Sequence, residues 1–367
     1  MIWVRGAPAD YDGWAQPGWT WPEVAPLFDR IENDLLETVP NLPLHPIQQS
    51  ILDAAIQCGL PFNPDYNSGV QDGVSVERIT ATAGPTRLTT WRAYAKPSTV
   101  TVHTGAHVHR LVITRGRCTG VVATIDNTTQ ELSADLVVLS AGALGSPTIL
   151  LRSGIGPASG LPVGHNLHDH LLAPVIFTTD SREVVPDPNQ SPTQVHWFWR
   201  SDPDLTVPDT QPICFSVPMY EPWMTGPPTG FSLMAGIVTP RGRGTLTLDE
   251  QGNPLIDLAA LEDPADLASL VASVNQCREV GHAITGDWGV RELYPCGADV
   301  EDYVRRTVVT YHHQVGTCAM GTVVDPTLKV HGVEGLRVAD ASVMPKVTTG
   351  NTNAPAVLIG EQAARFI

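Results

Sequence analysis

Apolar positions follow two periods along this chain, and the alternation between them divides it. Val24, Leu27, Phe28, Ile31 and Leu35 recur at helical spacing within Pro22–Leu36, where Pro22 suits a first turn. Ile47, Ile51, Leu52, Ala55 and Ile56 form a second stripe over Pro46–Cys58, which stops at Gly59. Arg87–Ala95 predicts a short helix. The runs TVTVHTGAHVHRLVI and CTGVVATI, either side of TRGR, then alternate as strands and predict a hairpin. From 171 to 239 apolar strands (LLAPVIFTT, TQVHWFWR, PICFSVPMY, FSLMAGIVTP) are separated by proline-rich loops. Helical spacing returns over Pro264–His282, with Asp263 near its cap, and shorter helices follow over Asp299–Val309 and Pro355–Phe366. Alternation puts Trp197 and Trp199 on one face of their strand. They and Tyr220 suit a substrate cavity or the sheet core equally well.

Composition narrows the function classes. The 367 residues are 42% hydrophobic and 16% charged, with 32 Gly and 32 Pro, as expected of a globular enzyme rich in tight turns. Lys plus Arg number 22 against 38 Asp plus Glu, so nucleic acid and acidic membrane surfaces are not expected partners. Six cysteines lie without the spacing of a disulfide framework or a zinc site. His103, His107 and His109 sit in an otherwise ordinary strand pattern with no local carboxylate, so the strand reading is preferred to a metal site, and no metal is expected. No apolar run reaches membrane-spanning length, and MIWVRGAPADYDGW has no basic segment leading an apolar one, which makes the cytoplasm the expected location.

Polar chemistry concentrates near the C-terminus. VTYHHQVGTCAMG (309–321) places two histidines before a glycine turn, and LRVADASVMPKVTTGNTNAPAVLIGE (336–361) adds Asp340 and two asparagines. Upstream stand RGAPADYDGW, the strand DLVVLSAG (135–142) ending in small residues, GALGSPTILLRSGIG (142–156), the hinge VGHNLHDH (163–170) and RGRGTLTLD (241–249). Together these segments resemble the glucose-methanol-choline (GMC) oxidoreductases, flavoenzymes that oxidise alcohols with FAD. The resemblance covers most of the chain.

It implies a fold that is α/β plus α+β, with an antiparallel-sheet substrate domain covered by helices. The implied division is a partial FAD-binding domain (1–170), a substrate-binding domain (171–312) and a C-terminal return to the FAD-binding domain and active site (313–367). The family's Gly-rich strand-to-helix turn, which lets backbone approach the pyrophosphate, does not occur in this sequence. The FAD-binding domain is therefore expected to be incomplete, and a separate polypeptide is expected to complete a split enzyme.

Counting back from Gly316 of the GT pair, the resemblance selects His313 as catalytic base, with His312 on the substrate side or capping the cavity. Imidazole suits the role, since its proton affinity lies near neutrality. The alignment selects Asn353 as its partner, although an Asn in a Thr/Gly/Pro-rich turn also serves simply as a turn former. The implied cofactor contacts are Val108, Ala141, Gly142, Asp340, Ala341, Asn353 and Ala354. Asn166, Asp169 and His170 are expected to fix a loop rather than catalyse. The expected function is FAD-dependent oxidation of an alcohol CH–OH group. The alternatives are a flavin-dependent lyase reaction and a catalytically inactive assembly subunit.

Overall fold

The computed structural model describes residues 1–82, 86–94, 100–180 and 191–367. The start of the expected strand at 99 and the end of the expected helix at Ala95 lie outside the described residues. Two hydrophobic cores organise the rest. One is built around a seven-stranded antiparallel sheet, whose order is Arg291–Tyr294, Leu171–Thr178, Gly230–Ile237, Ile213–Phe215, Thr193–Phe198 and Gly73–Val76. Val309–Thr310 pairs with the start of the Leu171 strand.

Strand parity decides what each face of this sheet does. Val175, Phe177, Val195, Trp197, Cys214, Phe231 and Leu233 point to one side, where the Pro264–His282 and Pro46–Gln57 helices cover them with Leu267, Leu270, Val274, Ile47 and Ile51. Leu172, His196, Phe198, Ile213 and Met234 point to the other side, towards Tyr66, Tyr311 and the C-terminal segments. The three longest strands are buried along their whole length, because both faces are covered.

The second core joins the two ends of the chain. Trp3, Tyr11, Trp14, Trp19 and Phe28 pack with Val315, Met320, Val343, Ala354 and Leu358. Trp14 Nε1 donates to the Lys346 carbonyl and Trp19 Nε1 to the Pro326 carbonyl, both at 2.8 Å, so these indoles are buried without losing their hydrogen bonds. The Asp10 carboxylate, buried and shifted upward by desolvation, accepts from Ala7 N, Thr349 N and Thr349 Oγ1, each at 2.7 Å. Outward from this core lie the antiparallel sheet of His107–Thr114, Arg117–Ile125 and Thr128–Ser133, the Gly142–Arg152 helix, and a parallel pair, Val137–Leu139 with Leu336–Val338.

Most elements follow the apolar periods, with local differences. The first long helix runs Trp21–Arg30 and finishes as a π-helical turn, Ile31–Leu35. Thr128–Ser133 is an exposed edge strand with no apolar face to announce it. Among the described residues no helix is long and apolar enough to cross a membrane.

Close packing makes one position unusually sensitive. A Cβ on Gly281 would stand 2.0 Å from Phe177 Cζ and 2.3 Å from its Cε2, in a ring that stacks on Phe231 with centroids 5.0 Å apart. Gly281→Ala should therefore lower stability by about 1–3 kcal/mol despite alanine's better helix propensity, read as a lower urea midpoint at unchanged m-value.

Candidate active site

The site forms where the polar face of the large sheet meets the segments 310–317 and 345–352. Gly316 allows that approach: its φ is +91°, and a Cβ there would lie 2.3 Å from the Asn166 carbonyl oxygen. His168, Asp169 and His170 then each hold a different part of the site. His168 Nε2 accepts from Val347 N at 2.9 Å, while its Nδ1 donates to the Asn166 carbonyl at 2.7 Å. Asp169 accepts from His313 N and Gln314 Nε2, both at 2.8 Å, and from Thr310 Oγ1. His170 Nδ1 meets His313 Nδ1 at 3.0 Å. The hinge tripeptide thus fixes the backbone and the ring of the expected base.

His313 stacks on Tyr311, with centroids 4.6 Å apart. Its Nε2 is 3.3 Å from the amide nitrogen of Asn351. Asn351 Oδ1 accepts from Gln211 Nε2 at 3.0 Å, and the same Gln211 nitrogen lies 3.0 Å from His196 Nδ1. Burial lowers His313, His168 and His196 to about 3 and holds His170 well below the usual imidazole range, so this imidazole cluster is neutral near pH 7.

The sequence expectation needs several corrections here. The asparagine at His313 is Asn351 rather than Asn353. Asn353 is the first residue of the Asn353–Arg365 helix, which begins two residues before the expected Pro355. A proline is tolerated in the first helical turn, and applying that rule to Pro355 would have left Asn351 as the loop asparagine. Trp197 and Trp199 share a face as expected, but it is the helix-covered one: Trp197 is fully buried and its Nε1 donates to Gln276 Oε1 at 2.8 Å. Tyr220 donates to the Pro227 carbonyl and packs near Met224, Tyr294 and Tyr303 in a separate cluster. His312 is exposed, with φ +63°. Sequence reasoning missed Gln211 and His196; the signal for His196 was a lone imidazole in an apolar strand, opposite in parity to the tryptophans.

A second feature lies beside the Gly142–Arg152 helix. A cleft of about 430 Å³ is lined by Val108, Ala141, Gly145, Thr148, Ile149 and Arg152, among others. Two expected contacts, Val108 and Ala141, therefore border one cavity of a size typical for small-molecule sites. Asp340 does not offer a free carboxylate: Oδ2 accepts from Gly142 N at 2.9 Å and Ser146 Oγ at 2.5 Å, and Oδ1 from Ser342 N at 2.8 Å. It caps the short helix Ala341–Val343, which Ala341 opens, and ties that helix to the cleft. Ala354 is buried in the core between the chain ends. His107 and His109 contact each other edge to face, and His109 Nε2 pairs with Thr124 Oγ1 at 2.7 Å. No described group of three or more His, Cys, Asp or Glu is disposed to hold a metal ion.

Family models described as GMC oxidoreductase match residues 1–172 and 240–360. The chain is 34% identical to an uncharacterized GMC-type oxidoreductase of Mycobacterium tuberculosis over 439 aligned residues, covering 100% of this chain and 82% of the relative. It is 32% identical to choline oxidase of Arthrobacter globiformis, covering 98% and 76%. The crystal structure of pyridoxine 4-oxidase from Mesorbium loti superposes with a TM-score of 0.91 at 28% identity, covering 100% of this chain and 81% of that one. The match over 1–172 corrects the expectation of an incomplete domain: the family's N-terminal, FAD-binding part is represented here, and the split enzyme with a partner polypeptide is withdrawn.

Behind the site, Glu77 is fully buried, accepts from Thr193 Oγ1 at 3.1 Å, and is raised to about 8 by desolvation. Its folded value stands above the unfolded value near 4.5, so its contribution is complete below pH 4.5 and is lost as pH rises towards 8. Glu77→Gln, which cannot ionise, should gain about 3 kcal/mol relative to wild type between pH 4.5 and 7, measured as the difference of urea unfolding free energies.

Proposed function

The chain belongs to the GMC oxidoreductase family, whose cofactor is FAD, and from that premise we propose that it oxidises the CH–OH group of an alcohol with His313 as the base. The observation that carries this reading is the approach of His313 Nε2 and the Asn351 amide to within 3.3 Å of each other. Asn351 replaces Asn353 as the asparagine of the pair.

The residues around the cleft fit the cofactor. Val108, Ala141 and Gly145 leave a space of about 430 Å³, and a Cβ on Gly145 would come within 2.8 Å of Ala141 Cβ, so the approach there depends on small residues. The Gly142–Arg152 helix runs along this cleft, its first amide already held by the Asp340 carboxylate. FAD, when bound, supplies the acceptor for the hydride lost from the alcohol carbon.

This chain's own residues supply the proton chemistry. A neutral His313 has one bare ring nitrogen, which takes the hydroxyl proton. The Asn351 amide donates to the same oxygen and orients it as negative charge develops. Asp169 keeps the His313 backbone from shifting as this happens, and the buried surroundings keep water from competing. Residues 1–170 with 313–367 serve the cofactor and 171–312 the substrate. The two cores support this division, although residues 46–76 pack with the second of these parts. Choline and pyridoxine, named by relatives, head the panel of alcohols to test.

With bound FAD and no oxygen, a substrate alcohol should bleach the flavin absorbance. His313→Ala should slow that bleaching by about 10²–10⁴-fold, and Asn351→Ala by roughly 10²-fold. Equal rates in His313→Ala and wild type would remove His313 from the role.

A further inference from the structure

The hydrogen bonds around His313 form a single chain that runs through four other buried side chains. In order, these are His196 Nδ1, Gln211 Nε2, Asn351 Oδ1, Asn351 Nδ2, His313 Nε2, His313 Nδ1 and His170 Nδ1, linked at 3.0, 3.0, 3.3 and 3.0 Å between residues. His196, Gln211 and His170 are fully buried, so no solvent relieves a mismatched link. An amide nitrogen only donates and an amide oxygen only accepts, while a neutral imidazole has one nitrogen of each kind. Fixing the direction of one link therefore fixes every other.

Two directions satisfy the chain internally. In one, Gln211 donates both ways, Asn351 donates to a bare His313 Nε2, and His313 Nδ1–H donates to His170 Nδ1. In the other, both amides are turned over and every proton is reversed, leaving His313 Nε2 protonated and useless as a base. The His170 end distinguishes them, since His196 Nε2 at the far end has no hydrogen-bond partner in either direction. With His170 Nδ1 facing His313, its remaining polar atom is Nε2, which makes no hydrogen bond within normal geometry. The backbone carbonyls of Val238 and Thr348 act on this ring in the sense that favours an N–H. Those carbonyls favour a ring N–H, and the nitrogen left for it once Nδ1 faces His313 is Nε2, so the proton of neutral His170 is assigned to Nε2. Its Nδ1 is then an acceptor.

We propose that Gln211 and His170 are positioning residues which, from opposite ends of this chain, hold His313 as the Nδ1–H tautomer and so keep Nε2 bare for a substrate hydroxyl. Neither residue touches substrate in this account. Gln211 sets which way the Asn351 amide faces, and His170 Nδ1 accepts the hydrogen bond from His313 Nδ1–H both before and after Nε2 takes a proton. The same geometry explains why the hinge histidine reaches the base with its ring while the preceding Asp169 holds the backbone. The catalytic value of the tautomer rests on the alcohol-oxidation reading, whereas its existence does not.

The test is imidazole ¹⁵N NMR at pH 7 on the full chain with labelled histidine, His313 being assigned by the signals lost in His313→Gln. Wild type should show His313 protonated at Nδ1 and bare at Nε2. His170→Asn keeps an acceptor and should retain that state, while His170→Leu and Gln211→Leu should each give a mixture of tautomers. With FAD bound, flavin reduction by a substrate alcohol should fall roughly 10–100-fold in His170→Leu and recover most of its rate in His170→Asn. A wild-type His313 protonated at Nε2, or a tautomer unchanged in both leucine variants, would overturn the proposal. If a leucine variant does not fold, the wild-type spectrum alone decides. A protein inert to alcohols with His313 in the Nδ1–H form would defeat the oxidation reading and leave this one standing.

Discussion

Much of this site depends on one buried carboxylate. Asp169 draws the His313 amide, the Gln314 side chain and Thr310 Oγ1 onto two oxygens, and desolvation raises its proton affinity while those donors oppose the rise. A hydrogen bond to a charged group contributes about 1.5–3 kcal/mol, and removing such a group would strand its donors in a dry interior. The residues on either side extend the hold. His168 pins the backbone at Val347, and His170 meets the ring of His313, so one tripeptide locates both polar segments of the site.

Where that tripeptide sits follows from how the large sheet spends its two faces. Odd-numbered positions such as Val195 and Trp197 lie under two helices and build an apolar core. The even-numbered His196 faces the other way and joins the polar chain. A strand that is buried on both sides would ordinarily be apolar on both. Here the second covering is made of irregular backbone from the C-terminal segments, which brings its own donors and acceptors. Gln211, Asn351 and the histidines are the partners that make this covering affordable.

The parts of this architecture that were readable in the sequence share a physical reason. Long helices announce themselves when one face is apolar and the other wet, as over Pro46–Gln57 and Pro264–His282. His313 was selected by the family resemblance alone, through its spacing from Gly316, whose left-handed backbone only the structure reveals. Asn351 and Asn353 were not distinguishable without knowing where the last helix begins, since they are two residues apart in the same turn chemistry. The tryptophans were placed on one face correctly, but nothing in a strand says which face looks at a helix. Gln211 was invisible because its role arises from neighbours at positions 196 and 351.

The packing of Trp3, Tyr11, Trp14 and Trp19 against residues 315–363 bears on how the molecule can be made. Contacts such as Asp10 with Thr349 span 339 residues of chain, among the most entropically costly closures available to it. As the polypeptide leaves the ribosome, the sheet and its helices, complete by Val309–Thr310, can collapse first. The aromatic cluster of residues 3–28 cannot complete its packing until residues 315–363 have been made. The surroundings of His313 thus assemble only after residues 315–363 are available to pack against those aromatic side chains.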